Sequence, residues 1–445
     1  MIVTRFAPSP TGLLHVGSIR PILVNYLFAK QAKGKFILRI DDTDLARCSD
    51  YYKQQILQDL QWLGIKWDDI FYQSQRLDRY NQVVKLLLES GRLYECFESP
   101  EELDLKRKTR LSSGKPPIYD RSALKLTYEQ KLQYIERGRK PCYRFKLEDK
   151  DIVWDDLIRS SVRYKGQDLS DPIVIRQDGS FTYMLCSAID DYDYNISHIF
   201  RGEDHINNTA IQLQMLEAMS AKIPQFGHLS FLKAKDDKIS KRVGGYEVAK
   251  FITGNFQPMA INSFFAYIGT SKPIVAKNNL QELIDDFDIK VFSPSPTIYT
   301  ESEIEILNHK LLIQLDFSDV ADSFCKMGLA EIDEEFWLAV RKNLNILLDV
   351  KLWWQICKSP IIVDPEKLDR DFLEITADLL PSGKLDQDSW GKWTDSISEK
   401  TGRRGKDLFM PLRIALTGLQ HGPEMRLLLP IIGRHEIERR IGICI

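Results

Sequence analysis

The sequence predicts an α/β fold built on a Rossmann-type parallel sheet, interrupted by an inserted α+β domain and followed by an all-helical C-terminal domain. Three observations predict it. Within about the first 40 residues a β-type run, an amphipathic stretch and a second β-type run succeed one another, the βαβ unit of a parallel sheet. The same texture returns over 181–217, after an interval of short strand-like pieces and basic segments. Past about 310 no alternating strand pattern remains, and apolar residues recur at helical spacing.

Taken in order, "IVTRFA" reads as a strand ending at a proline pair. From Ser18 the residues Ile19, Ile22, Leu23, Tyr26 and Leu27 fall on one helical face, with Ser18 expected to cap the helix and Pro21 in its first turn. "KFILRID" returns as a strand, and helices are expected over 52–63 and 78–89. From about 96 "KRKTRLSSGKPPIYDR" is basic and lacks apolar periodicity, while "CYRFKL", "IVWDDLI" and "PIVIRQDGSFTY" look like short strands. "NISHIFRGED" reads as a strand with its exit loop and "NNTAIQLQMLEAM" as the next helix. Phe336, Val340, Leu344, Leu347, Leu348, Leu352 and Ile356 form one apolar stripe. The expected division is 1–79 with 189–233 for the parallel-sheet domain, 80–188 for the insert, 234–310 for a stem-contact region that carries the "KISKR" loop and 311–445 for the helical domain.

The chain has 445 residues, 43% hydrophobic and 28% charged, with a formal charge of −2, so nucleic-acid binding would need local basic patches rather than a global field. Its seven cysteines are scattered with no C-x-x-C pair, as in a reducing compartment. "MIVTRFAP" has no basic leader before an apolar run, and no stretch is apolar enough to span a bilayer, so a cytoplasmic protein is expected.

The chemistry concentrates in two stretches. "RFAPSPTGLLHVGSIRP" places a stiff Pro-Ser-Pro, Gly12, His15 and Gly17 between a strand and a helix. The helix start offers unpaired N–H groups to anionic oxygens, the glycines permit close backbone approach, and His15 can donate to a phosphate whose charge is redistributing. "KAKDDKISKR" puts Lys238, Lys241 and Arg242 around a serine. Alone such a run is a solvated face; after a second α/β half it can also present cations to a pyrophosphate leaving group. Arg5 and Arg201 end two strands, where parallel-sheet sites gather, and two arginines in one pocket call for an anion between them. Asp41 can hold an ammonium and Tyr183 can donate to a carboxylate. Lys106, Arg107, Lys108, Arg110 and Lys115 suit either backbone phosphates or a solvated loop.

"TRFAPSPTGLLHVGSIR" with "DDKISKR" resembles the HIGH and KMSKS elements of class I aminoacyl-tRNA synthetases, and the "APSPTG" lead is similar to the bacterial-type glutamyl and glutaminyl branch. "TGRRGKDLFMPLRIALTGLQHGP" resembles a stretch of the helical anticodon-binding domain of bacterial glutamyl enzymes. The resemblance implies a glutamate–tRNA ligase, active as a cytoplasmic monomer in protein biosynthesis. It would use ATP and Mg²⁺ to make glutamyl-adenylate, then load the 3′ end of tRNA-Glu. It implies a glutamate pocket at Arg5, Ala7, Ser9, Asp41, Tyr183 and Arg201. ATP contacts are implied at Thr11, Gly12, His15, Gly17, Asp204, His205, Leu232 and Lys241, with His15, Gly17, Lys238 and Lys241 carrying the chemistry. The insert would hold the tRNA acceptor end. The family usually has Glu at the position of Asp41. Many relatives carry a zinc knuckle where this chain has Cys96 followed by Glu98, so no zinc is expected. A ligase that also glutamylates tRNA-Gln and a non-catalytic tRNA-binding paralogue remain the alternatives.

Overall fold

The computed structural model describes residues 1–44, 46–234, 247–361, 363 and 368–442. Strand and helix alternate as read at the amino end: β1 (Val3–Phe6), α1 (Val16–Gln31), β2 (Lys35–Ile40), α2 (Asp50–Trp62), β3 (Asp69–Tyr72) and α3 (Leu77–Glu89). There follow β4 (Leu93–Cys96), α4 (Pro100–Ser112), α5 (Tyr128–Glu136), β5 (Cys142–Phe145), β6 (Asp151–Asp156), β7 (Ser160–Lys165) and β8 (Ile173–Ile175). The α/β pattern resumes with α6 (Tyr183–Asp193), β9 (His198–Gly202), α7 (Ile206–Ala218) and β10 (Gln225–Leu229).

β1, β2 and β3 pair in parallel in that order. β9 and β10 pair in parallel, and β6 joins β10. The seam between the two sheets is closed at β1 and β9, where Ser197 N–H donates to the Val3 carbonyl and Val3 N–H to the Ser197 hydroxyl, at 2.9 and 2.8 Å. Helix α1 lies under this seam, with Ile19, Ile22, Leu23 and Leu27 wholly buried. Further on, β11 (Leu232–Ala234) pairs in parallel with β12 (Thr297–Tyr299).

Several expectations need correction. Helix α1 starts at Val16 and is capped by His15, not Ser18, because the His15 ring nitrogen accepts the Gly17 N–H at 3.0 Å and so satisfies an orphan donor earlier. Pro21 therefore sits beyond the first turn, and its missing N–H leaves the Gly17 carbonyl without a helical donor. The basic stretch after 99 is helical as far as Ser112: Ser99 and Glu102 form a capping box and Pro100 opens the helix, although none of its residues is buried. Strand β8 is short, and Tyr183 begins a helix rather than ending a strand. The hairpin β6–β7, within the stretch read as an insert, extends the β9–β10 sheet instead.

Residues 1–252 with 261–300 form one compact unit, and 253–260 with 301–445 a second. The second unit is built of helices around Trp337 and Trp393, both fully buried, with Trp353 nearly so and Trp354 and Trp390 packed against that core. The apolar stripe over 336–356 is broken into Glu334–Val340, two short 3₁₀ turns and Val350–Lys358, so Leu352 is exposed. No helix among the described residues is long and apolar enough to cross a membrane. Trp393 also donates its indole N–H to the Thr376 carbonyl at 2.9 Å. Trp393→Ala is expected to destabilise this unit by about 3–5 kcal/mol, read as a lower midpoint in urea unfolding.

Candidate active site

A cavity of about 440 Å³ opens at the carboxyl ends of β1 and β9 and the amino end of α1. It is lined by Arg5, Phe6, Ala7 and Ser9 from one side, Gly17, Ser18 and Pro21 from α1, and Tyr183, Phe200, Arg201, Gly202, Asp204 and His205 from the other. The strand ends gather there because parallel strands present their loops at one edge, and the helix amino end adds N–H groups.

The two arginines are buried but held differently. Arg5 donates through Nε and Nη2 to Asp191, at 3.1 and 3.5 Å. Arg201 has no carboxylate partner among the described residues. Its Nη1 donates to the Tyr183 hydroxyl at 3.2 Å, and its Nη2 to Thr209 Oγ1 and Gln212 Oε1 at 2.6 and 2.8 Å. Its Nε is buried without a hydrogen-bond partner. Desolvation, with the like charge of Arg5, pushes the Arg201 guanidinium below its ordinary value, so its charged form would be stabilised by an anion in the cavity.

Behind Arg5 lies a buried ion network. Arg39 donates to both oxygens of Asp41 at 2.6 and 3.2 Å, to Asp191 at 3.0 Å, and to the Ser187 hydroxyl and carbonyl at 2.9 and 3.3 Å. Every guanidinium N–H is thereby used. Asp41, expected at the pocket wall, is instead turned onto Arg39 and is not among the lining residues. Being one methylene shorter than Glu, it ends where Arg39 can take both oxygens. Burial outweighs Arg39 and lifts its carboxyl to about 6.

His15 accepts from Gly17 through Nδ1, so its neutral ring carries the proton on Nε2. Burial holds its pKa below the ordinary value, against the charge of Glu247. A Cβ at Gly17 would lie 3.2 Å from that Nδ1, so glycine here preserves the histidine's anchoring. At Gly12 a Cβ would meet nothing, and Thr11 makes a tight turn onto the Ser9 carbonyl at 2.8 Å; neither lines the cavity. Leu232 opens β11, away from the lining. Lys238 and Lys241 lie outside the described residues. The chain is described again from Glu247, which bridges to His15 while Val248 N–H donates to the Leu14 carbonyl at 3.0 Å.

Phe6, Ser18, Pro21, Phe200 and Gly202 were not anticipated, although each adjoins or lies near a residue that was. Asp191, Arg39, Thr209 and Gln212 had no local signal, since they act through contacts distant in sequence. In the basic stretch, Lys106 is tied to Glu98 at 2.9 Å and Lys108 to Asp104 at 2.6 Å, while Arg107 and Arg110 line a second cavity of about 450 Å³ with Lys106, Tyr119 and Arg144. Cys96 donates to Glu98 at 2.9 Å, with Cys142 opposite it across β4 and β5.

Residues 1–306 match the family model for the class I tRNA synthetases (E and Q), catalytic domain, and residues 365–445 the model for an anticodon binding domain. The chain therefore belongs to the class I tRNA synthetase family of the E and Q branch. It is 53% identical to glutamate–tRNA ligase 1 of Rickettsia felis and 54% identical to that of Rickettsia rickettsii, over 99% of this chain and of each relative. It is also similar to the crystal structure of a glutamate tRNA ligase from Elizabethkingia meningosepticum in complex with its amino acid. That match has a TM-score of 0.86 and 25% identity, and covers 99% of this chain and 98% of that one.

His205 gives a test of the site's electrostatics. Burial and the charges of Arg201 and Arg5 push it down to about 4. Because the unfolded imidazole titrates near 6.5, the unfolded state binds more protons between about pH 4 and 6.5, and through this group stability rises with pH in that window. Titration of the His205 ring by NMR is expected to give a midpoint near 4. The midpoint should move upward in Arg201→Gln.

Proposed function

We propose that this member of the family is a glutamate–tRNA ligase in which the cavity holds L-glutamate and the neighbouring α1 amino end holds ATP. The observation that carries the amino-acid assignment is Arg201, a buried guanidinium facing the cavity without a carboxylate partner among the described residues. A substrate side-chain carboxylate supplies the missing counter-charge, shared with the edge of Arg5 not spent on Asp191. An amide would leave that charge uncompensated. The names of the relatives at 53 and 54% identity over nearly full length support the same assignment.

The glutamate α-carboxylate attacks the α-phosphorus of ATP, forming glutamyl-adenylate and releasing pyrophosphate. A hydroxyl of the tRNA's 3′-terminal adenosine then takes the glutamyl group and AMP leaves. No covalent enzyme intermediate is required, so catalysis is positioning and charge stabilisation. His15, fixed by Gly17, directs Nε2–H at a phosphate oxygen, and Lys238 and Lys241 meet the charge that develops on pyrophosphate. Asp41 acts from behind, by holding Arg39 against Asp191. Thr11, Gly12 and Leu232, none of which lines the cavity, would contact ATP only where the nucleotide extends beyond it. Mg²⁺ would neutralise phosphate charge; the wall's one carboxylate among the described residues, Asp204, fits an ion that arrives with the nucleotide rather than one caged by protein. Arg107, Arg110 and Lys115 would meet tRNA phosphates, while Lys106 and Lys108 are held by their own carboxylates.

Pyrophosphate exchange with and without tRNA tests the first step, and exchange is expected only with tRNA present; no exchange under either condition would make the chain a binding paralogue. Aminoacylation of purified tRNA-Glu and tRNA-Gln then fixes the acceptor. For Arg5→Ala a rise in the glutamate KM with the ATP KM preserved is expected, and an unchanged glutamate KM removes Arg5 from the pocket. Lys241→Ala should lower turnover by roughly a hundred- to a thousandfold with glutamate binding kept.

A further inference from the structure

Arg201 is fixed by an unusual chain of groups. Thr209 Oγ1 accepts from Arg201 Nη2 at 2.6 Å and lies 2.8 Å from His228 Nε2. His228 Nδ1 lies 2.5 Å from Asp156 Oδ2. The other Asp156 oxygen accepts the backbone N–H groups of Ile158, Arg159 and His228 at 3.0, 3.0 and 3.1 Å. His228 and Thr209 are fully buried and Asp156 nearly so. The residues come from four elements: β6 and β10 are paired strands of one sheet, and α7 connects β9 to β10.

The direction of each hydrogen bond follows from the chemistry. Burial alone would raise the Asp156 carboxyl, but His228 and the backbone donors hold it below the ordinary value, so it stays ionised. Burial and the charge of Arg201 keep the His228 ring neutral despite Asp156. Its single N–H then points from Nδ1 to Asp156, and its Nε2 lone pair, 2.8 Å from Thr209 Oγ1, takes the hydroxyl proton in preference to the His205 carbonyl at 3.2 Å. That leaves the Thr209 oxygen with only lone pairs facing Arg201. The carboxylate's charge reaches Arg201 as two aligned dipoles, which orient the guanidinium without cancelling it. Gln212, anchored by donating to the Met184 carbonyl at 3.4 Å, takes the other hydrogen of Nη2.

We propose that Asp156, His228 and Thr209 form a positioning relay that aims Arg201 at the substrate's side-chain carboxylate while keeping its charge available, and so set the affinity for glutamate. A carboxylate in direct contact, of the kind that Asp191 provides for Arg5, would hold Arg201 as firmly but would compete with the substrate. The inference rests on the reading of Arg201 as the residue that grips that carboxylate, and the two can fail separately.

The test uses the full-length enzyme in tRNA-dependent aminoacylation, with glutamate KM, ATP KM and kcat measured for each form. Thr209→Val, which keeps shape and removes the hydroxyl, is expected to raise the glutamate KM about tenfold with the ATP KM within about twofold of wild type. Thr209→Ser, which restores the hydroxyl, should return to near the wild-type value. Arg201→Lys should raise the glutamate KM on its own, and Thr209→Val added to it should change little more, since the relay acts only through the guanidinium. A raised glutamate KM in Arg201→Lys with an unaltered one in Thr209→Val overturns the relay and leaves the carboxylate reading standing. An unaltered glutamate KM in Arg201→Lys overturns that reading, and the relay falls with it. Equal losses toward glutamate and ATP in Thr209→Val, or full additivity in the double variant, would reduce the chain to ordinary packing and also refute the relay.

Discussion

A guanidinium withdrawn from water must find its hydrogen bonds in the protein, and this site is organised by how Asp191 meets that demand for two of them. Its Oδ1 accepts from Arg5 and from Arg39, at 3.1 and 3.0 Å, from the neighbouring strands β1 and β2. Arg39 is in turn clamped by Asp41 and Ser187. Breaking one member of such a buried set strands a charge and typically costs about 3–5 kcal/mol. The geometry of Arg5 is therefore inherited from helix α6 and strand β2 rather than set by its own strand alone.

The same bookkeeping separates the two arginines of the cavity. Arg5 and Arg39 face Asp41 and Asp191 and are balanced in place. Arg201 is surrounded by a phenol, a hydroxyl and an amide, which orient but do not neutralise. One side of the cavity is thus electrically balanced, and the other keeps a guanidinium that its neighbours do not neutralise. His205 is depressed first by burial, and the charges of Arg201 and Arg5 that add to it are the same field sensed by a neighbour.

How much of this was legible in the sequence depends on the range of the interaction. The βαβ start, strand positions near Arg5 and Arg201, and helices α2 and α3 follow from local apolar periodicity and were read nearly to the residue. The amino end of α1 was misplaced because a histidine does the capping that Ser18 advertised. The basic stretch hid a helix whose stability comes from its cap and not from a buried face. Arg5, Ala7, Ser9, Gly17, Tyr183, Arg201, Asp204 and His205 do meet at one cavity, whereas Asp41 does not line it, since its orientation depends on Arg39 two residues earlier. Asp191, Thr209 and His228 were invisible: each matters through partners on other elements, and spacing along the chain carries no trace of them.

The hairpin β6–β7 has a consequence for how this chain can be taken apart. It lies among residues that belong, by texture, to the inserted portion, yet β6 is hydrogen-bonded into the second sheet and ends at Asp156, against His228. Grafting that portion from a cousin with the junctions at its outer edges would import a foreign strand beside the Arg201 cavity. Junctions placed so that 151–165 stays with its host would exchange the peripheral lobe alone, which makes this hairpin the natural hem between two separable inheritances.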